Sequence, residues 1–278
     1  MSIRNVLVNV IIPTYNRGHL LDRSIKSVLD QSYKNIELIV IDDGSIDNTR
    51  SLVEEFTKKD KRVKYFYIDN SGVSSARNHG INNSNGELLA FLDSDDEWLP
   101  EKLKKQVDLY IKEPYQLCHS DEIWIRNGIR INQMKKHEKS GGDIFLKCLP
   151  LCCISPSAAI VTRGLIDEVG MFDEDLEICE DYDLWLRVTA RYPVSFIDEP
   201  LIIKYGGHKD QLSNRSWGND TYRVRALQKI IKSGTISGEK LSTAIEMLKT
   251  KCEILAKGFK KHGNLEQAQY YDKLSLYN

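Results

Sequence analysis

Residues 86–100 run Gly-Glu-Leu-Leu-Ala-Phe-Leu-Asp-Ser-Asp-Asp-Glu-Trp-Leu-Pro. The uninterrupted apolar stretch Leu88 to Leu92 is short, so it reads as a strand buried on both faces of a sheet. It stops abruptly in Asp93, Asp95 and Asp96. Three carboxylates at the carboxyl end of a buried strand repel one another and are costly to hold without a compensating cation or set of donors. Open α/β sheets bind ligands at that strand end. Asp93 and Asp95 therefore have the chemistry to hold a hard cation, Mn²⁺ or Mg²⁺, that bridges to a diphosphate. The plainer alternative is an acidic loop that caps a helix beginning near Pro100.

The preceding chain repeats this strand-to-loop pattern. Val6 to Ile12 is an apolar strand broken only by Asn9, and it is expected to stop at Pro13-Thr-Tyr-Asn16. Leu21, Ile25 and Val28 then recur at helical spacing. Ile36 to Ile41 is a second strand, ending in Asp42-Asp43-Gly44-Ser45. Asp47 is the expected N-cap of the next helix. Val63 to Ile68 is a third strand, and Gly72 leads into a helix. Strands alternating with helices over short connections predict a parallel sheet covered on both faces. Right-handed crossovers bring the Thr14, Asp43 and Asp93 regions to one rim. After the helix through Leu103, Val107 and Tyr110 the pattern changes. Ile123, Ile125, Ile129 and Ile131 flank Asn127-Gly128, a type I′ hairpin signal, so antiparallel pieces are expected. Ala158–Thr162, Val194–Ile197 and Leu201–Tyr205 read as further strands. A helix opens at the acidic cluster Glu177 to Asp183. Helices over about 222–232, 240–261 and 265–276 close the chain, hinged at His262-Gly263-Asn264.

Composition limits the function. The 278 residues carry a formal net charge of −1, so no global field recruits nucleic acid. From Ser216 onward 11 Lys/Arg face 6 Asp/Glu, a basic segment suited either to an anionic membrane surface or to solvated helix faces. Six cysteines lack metal spacing, although Cys148, Cys152 and Cys153 lie close together. No apolar run is long enough to span a bilayer. The expected location is the cytoplasm, where the inner face of the membrane is within reach of the basic segment.

In order, Val10-Ile-Ile-Pro-Thr-Tyr-Asn16, Ile41-Asp-Asp-Gly-Ser45, Gly72-Val-Ser-Ser-Ala-Arg-Asn78, Phe91-Leu-Asp-Ser-Asp-Asp96 and Glu180-Asp181 resemble the motifs of glycosyltransferase family 2. The resemblance covers about residues 6 to 213. It implies a GT-A fold: a Rossmann-like, mostly parallel sheet with helices on both faces and a small antiparallel part. The expected division is a catalytic domain over residues 1–214 and a helical segment over 215–278, acting as a cap, an oligomerisation surface or an acceptor or membrane contact. The resemblance also implies inversion at the anomeric carbon, a divalent metal, a nucleotide-sugar donor, expected to be a UDP-sugar, and a glycan or lipid-linked acceptor in cell-surface polysaccharide synthesis.

By that resemblance Pro13, Thr14 and Tyr15 meet the donor nucleotide, and Asp43, supported by Asp42, accepts from the base. Their alternative is turn-capping. Arg77 lies near the base and diphosphate, or forms a surface salt bridge. Asp95 ligates the metal directly, Asp93 helps through water or the ribose, and His208 meets metal or diphosphate unless it is structural. Asp181 matches the catalytic base, and Glu180 orients the acceptor or shapes the site. Trp185 belongs to the core or to the acceptor side. Gln-x-x-Arg-Trp and membrane helices, which mark processive members, are missing here; Asn214-Arg-Ser-Trp217 is a vague echo. Transfer of one or a few sugars is the expected outcome. A nucleotidyltransferase would require a Gly-rich phosphate loop after the first strand, which Pro13-Thr-Tyr-Asn16 does not supply. A non-catalytic binding relic would have no need of Asp181.

Overall fold

Alternation of period two along the central strands decides which face each residue joins. The structure, a computed structural model, describes residues 5–207 and 219–276. Strand β1 (Val8–Thr14) lies between β2 (Ile36–Asp43) and β4 (Leu88–Phe91), with β3 (Val63–Ile68) beyond β2, all parallel. Val8, Val10, Ile12, Leu88 and Ala90 share one core with Leu21 and Ile25 of α1 (Gly18–Leu29) and Leu103 and Val107 of α4 (Lys102–Lys112). Ile11, Leu89 and Phe91 join the opposite core, with Ile81 of α3 (Val73–Asn82) and Leu184 and Trp185 of α7 (Glu180–Arg191). Asn9, the polar interruption, is buried but satisfied. Its amide donates to Glu37 Oε2 at 2.8 Å, and its carbonyl oxygen accepts from the backbone of Gly86.

The parallel half ends at β4, which pairs antiparallel with β8 (Ile160–Thr162). Among the described residues the sheet runs β3-β2-β1-β4-β8-β6-β9-β5, with β7 on β6. Here β5 is Glu97–Trp98, β6 is Leu117–Arg126, β7 is Ile129–Ile131 and β9 is Ser195–Gly206. The hairpin at Asn127-Gly128 has the expected positive φ at both residues, 50° and 77°. This is the mostly parallel sheet with an antiparallel part that the sequence predicts.

Four local expectations need correction. β1 runs through Pro13 to Thr14: β4 pairs with β1 only as far as Ile11, so the missing proline N–H interrupts no ladder on that side. The two expected last strands are one, β9, with irregular register against Ser120–Glu122; exposed Pro200 sits at that irregularity. Asp47 stands one residue before the N-cap Asn48 of α2 (Thr49–Lys59), yet it still accepts from Thr49 N and from Gly18 N, both at 3.0 Å. Helix α6 (Arg163–Val169) was not foreseen; Thr162 caps it by accepting from Leu165 N.

The C-terminal helices α8 (Asn219–Lys232), α9 (Gly238–Lys261) and α10 (Leu265–Leu274) are not peripheral to the core. Leu227, Ile230, Leu248 and Cys252 belong to the same cluster as Leu184 and Trp185. Buried Lys251 donates to Asp220 Oδ1 at 2.9 Å and to Pro150 O at 3.0 Å, pinning α9 to the segment after α5 (Phe145–Cys148). No described helix is long and apolar enough to cross a membrane.

One core residue should make stability pH-dependent. His119 on β6 is fully buried; Nε2 meets Ser140 O at 3.0 Å, and the ring packs on Phe196. Burial, then the charge of Lys139, lowers its pKa from 6.5 to about 3. A folded-state pKa below the unfolded one gives stability present above pH 6.5 and lost as pH falls toward 3. Over that window the loss should approach roughly 1.4 kcal/mol per pH unit. Urea titrations from pH 7 to 5 should show His119→Gln with a flatter dependence than the parent protein; identical slopes would exclude His119 as the cause.

Candidate active site

The carboxyl ends of β1, β2 and β4 converge. Asn16, just past β1, takes a positive φ of 53°. This bend lets its N–H donate to Ser45 Oγ at 2.8 Å while its side-chain oxygen accepts from Ile46 N. The β1 and β2 loops are thereby tied to each other. Asp43 is buried, and its two carboxylate oxygens accept from Ser71 N at 2.7 Å and Gly72 N at 2.9 Å. Gly44 lets this turn approach the neighbouring loop: a Cβ there would fall 2.9 Å from Asn70 N. Asp42 accepts from Ser45 N and from Tyr65 Oη. Both aspartates thus cap turns, the plainer of their two readings, at the rim where the resemblance puts a nucleotide base. Burial, against those two N–H donors, pushes Asp43 above the usual carboxylate range. Pro13 and Thr14 are buried in β1, while Tyr15 is 43% exposed on the rim.

Each of the three acids after β4 meets a cation from a different element. Arg17 NH1 donates to Asp95 Oδ2 at 2.7 Å, and Arg77 NH2 to Asp93 Oδ1 at 2.7 Å. Lys204 of β9 lies 3.9 Å from Asp96, which also accepts from Ser157 Oγ at 2.6 Å. Burial drives the Asp96 pKa up to about 8, with the charges of Asp95 and Asp93 adding to it and Lys204 opposing. For Asp93, burial pushes upward too, but Arg77 and Lys204 outweigh it and hold the carboxyl below its usual range. Arg17, Lys204 and Ser157 were not foreseen. Arg17 had a signal, lying beside a strand end and ahead of a helix. Ser157 had none.

Arg77 is the link to the other side of the cleft. Its second fork nitrogen donates to Glu180 Oε1 at 2.5 Å, on the first residue of α7. Arg77 is only 3% exposed, so its ion pairs are buried, not the surface bridge of the plainer reading. Cys179, ahead of α7, has a φ of 61°, the left-handed region that a non-glycine residue rarely adopts. Glu180 and Asp181 diverge from there, as expected of adjacent helix positions. Glu180 is buried on Arg77; burial, with the charge of Asp181 and against Arg77, takes its pKa to about 7. Asp181 is half-buried. Its Oδ1 accepts from Tyr182 N at 2.7 Å and its Oδ2 faces Cys152 Sγ at 3.3 Å. Trp185 is 1% exposed inside the core, which corrects its acceptor-side reading and leaves the core reading standing. His208 lies outside the described residues.

Among the described residues no three His, Cys, Asp or Glu side chains gather as a metal cage. Asp93 and Asp95 nevertheless supply hard oxygen donors, the type Mn²⁺ and Mg²⁺ take. Such ions are often held by one or two carboxylates with substrate phosphates completing the shell. The donor set fits a cation that arrives with a diphosphate, not one caged by protein alone.

The Arg77 fork should be stringent. Arg77→Ala leaves two carboxylates facing each other without their cation, a loss of about 3–5 kcal/mol in urea titration. Arg77→Lys should recover less than half, because an ammonium does not reproduce the fork. Glu180 has a folded-state pKa above its ordinary 4.5, so protonating it favours the folded form. The Arg77→Ala deficit should therefore be largest above pH 7 and shrink toward pH 5; a pH-independent deficit would contradict the ion-pair account.

Residues 9–170 match the family described as Glycosyl transferase family 2. An uncharacterized glycosyltransferase of Rickettsia conorii is 36% identical over 230 residues, covering 77% of this chain and 36% of that protein. The chain thus spans about a third of that relative's length. The Escherichia coli UDP-Glc:alpha-D-GlcNAc-diphosphoundecaprenol beta-1,3-glucosyltransferase WfgD is 34% identical over 193 residues, 69% of this chain and 73% of its own. Among solved structures, S. aureus TarS 1-349 in complex with UDP-GlcNAc superposes with a TM-score of 0.69 at 16% identity, covering 96% and 90% of the two chains. The mannosyltransferase PcManGT of Pyrobaculum calidifontis, in complex with GDP-Man and Mn²⁺, superposes with a TM-score of 0.60 at 16% identity, covering 96% and 85%. Those two likenesses concern the fold, which is the GT-A type of a glycosyltransferase. With the rim motifs converging as described and the match running from β1 through α6, the chain belongs to glycosyltransferase family 2.

Proposed function

We propose that this chain is an inverting glycosyltransferase that moves a sugar from a UDP-sugar to a hydroxyl of a glycan or lipid-linked acceptor in cell-surface polysaccharide synthesis. One observation carries the reading. The contacts Asn16–Ser45, Arg17–Asp95, Arg77–Asp93 and Arg77–Glu180 join the Asp43, Asp95 and Asp181 regions along a single rim. The donor sits over the ends of β1, β2 and β4. Tyr15 and the Asp43 turn meet its nucleotide. The names of WfgD and of the TarS complex favour uridine nucleotides over others.

Asp95, with Asp93, would hold Mn²⁺ or Mg²⁺ against the diphosphate, where the ion supplies neutralisation of leaving-group charge. The rest falls to side chains. Asp181 takes the acceptor hydroxyl's proton as the oxygen attacks the anomeric carbon opposite the diphosphate. Glu180, fixed by Arg77, shapes the wall beside it. Arg77 sets the spacing between the donor side and the acceptor side. A cleft of about 680 Å³ opens between β6, β7 and residues 132–141, lined by Glu122, Trp124, Arg130, Lys139, Phe196 and Asp198. Lys139 reaches from that cleft to Cys153 O at 3.2 Å, beside the residue that touches Asp181. The acceptor chain approaches the base along this cleft. Helices α8 to α10 pack into the same apolar cluster as α7 and offer a basic surface to a membrane that holds a lipid-linked acceptor.

Nucleotide release, measured with a panel of nucleotide-sugars, Mn²⁺ and lipid-diphosphate saccharides, tests the reading. Asp181→Asn should lower turnover by about 10²- to 10⁴-fold while UDP binding stays intact. Turnover near that of the parent would remove Asp181 as the base. In calorimetric titration, Mn²⁺ should tighten UDP binding to the parent by at least about tenfold. Asp95→Ala should bind UDP equally with Mn²⁺ and with chelator; a retained Mn²⁺ dependence would place the metal elsewhere.

A further inference from the structure

Asp181 has a partner on each oxygen, and one of them is a thiol. Cys152 lies in the segment between α5 and the turn at Pro156–Ala158. Its Sγ is 3.3 Å from Asp181 Oδ2 and 3.2 Å from Ile154 O. Both neighbours are acceptors, so the single S–H has two candidates, and the ionised carboxylate is the stronger. The opposite oxygen, Oδ1, receives Tyr182 N–H. An Asp carboxylate is otherwise loosely held, because its terminal torsion is broad. We propose that Cys152 is a positioning residue for the base, donating its thiol proton to Asp181 Oδ2 so that, with Tyr182 N–H on Oδ1, the plane of the carboxylate is fixed toward the acceptor. This rests on Asp181 being the base.

The choice of sulfur has a chemical reason. A thiol is a weak donor. It aims the carboxylate while withdrawing little of the electron density that makes it basic. A hydroxyl in the same place would bond more strongly and depress basicity. The thiol also remains protonated, since burial and then the charge of Asp181 push its pKa well up. The groups around the pair are Cys179 just ahead of α7, Glu180 on α7, Cys148 on α5 and Lys139 from residues 132–141, with Arg77 of α3 beyond Glu180 and Asp220 and Arg223 of α8 beyond Cys179. All of them are common to the parent and its variants, so they cancel in a comparison.

Two substitutions separate aiming from mere packing. The acid limb of kcat/KM against pH reports the essential base of the free enzyme. Cys152→Ser should move that limb to lower pH, because its donor is stronger. Cys152→Ala should move it to higher pH, because the donor is gone. Cys152→Ala should also lower kcat by roughly three- to tenfold with donor KM unchanged, as expected for loss of one hydrogen bond from a weak donor. In an Asp181→Asn background neither substitution should change the residual rate. Limbs that stay in place, or that move the same way in both variants, would overturn the proposal. UDP titration verifies that each variant is folded; if Cys152→Ala fails it, the direction of the Cys152→Ser limb decides alone. A near-normal Asp181→Asn would instead overturn the base assignment. An inactive Asp181→Asn with unmoved Cys152 limbs would leave the base in place and reject only the thiol's role.

Discussion

The structure depends on how three acidic side chains are held at the end of a buried strand. Asp93, Asp95 and Asp96 follow closely on the apolar β4, and burial alone would drive protons onto Asp93 and Asp96. Arg77 comes from α3, Arg17 from the loop after β1, and Lys204 from β9. These elements are far apart in sequence, so the acidic cluster acts as a staple for the fold. Removing one partner of such a pair strands a charge in a poor solvent, which is costlier than the pair is stabilising. That asymmetry explains how these pairs hold the rim in one geometry.

Much of this was legible in the sequence because it follows from short-range rules. Largely apolar runs that stop at polar turn residues place β1, β2 and β4 and their carboxyl ends. Right-handed crossovers then bring Thr14, Asp43 and Asp93 together without any knowledge of contacts. The Asn127-Gly128 turn and the opening of α7 at Glu180 were equally readable. What could not be read was pairing between side chains of distant elements. Lys204 sits in a segment that reads as an ordinary strand, and the antiparallel pairing of β9 with β5, Glu97 against Ile203, sets it beside Asp96. Ser157 bridges Asp93 N and Asp96 Oδ2 from a segment with no period at all. Pro13 misled for a related reason: its missing N–H ends a strand only if a neighbour needs it, and β4 has already stopped.

The two sides of the cleft are built differently. The proposed donor side rests on the ends of strands held by ladders. The proposed acceptor side rests on α7 and on residues 132–157, which contain only short helices and turns between β7 and β8. Buried charges hold that segment in place. Lys139 pairs with Glu122 at 3.3 Å with both side chains almost fully buried, and donates to Cys153 O. Lys251 reaches from α9 to Pro150 O. Loops positioned by a rigid scaffold tolerate change more readily than the scaffold does. Variation in acceptor within the family is expected to fall on such a segment, with the donor rim kept.

If Cys152 aims the base as proposed, this arrangement connects the C-terminal helices to the site. Asp220 of α8 accepts from Lys251 of α9, and Lys251 in turn holds Pro150 two residues before Cys152. Cys152 touches Asp181. A chain of buried polar contacts therefore runs from the helical segment to the carboxylate, parallel to the apolar packing of Leu227 and Leu248 in the cluster that contains Trp185. Polar contacts in low dielectric tolerate little displacement, since an unpaired buried ammonium is far costlier than a slightly underpacked leucine. The apolar contacts hold α8 and α9 on the domain; the lysine sets their register. A shift of α9 by even one turn would carry Lys251 away from Pro150 and release the segment that carries Cys152.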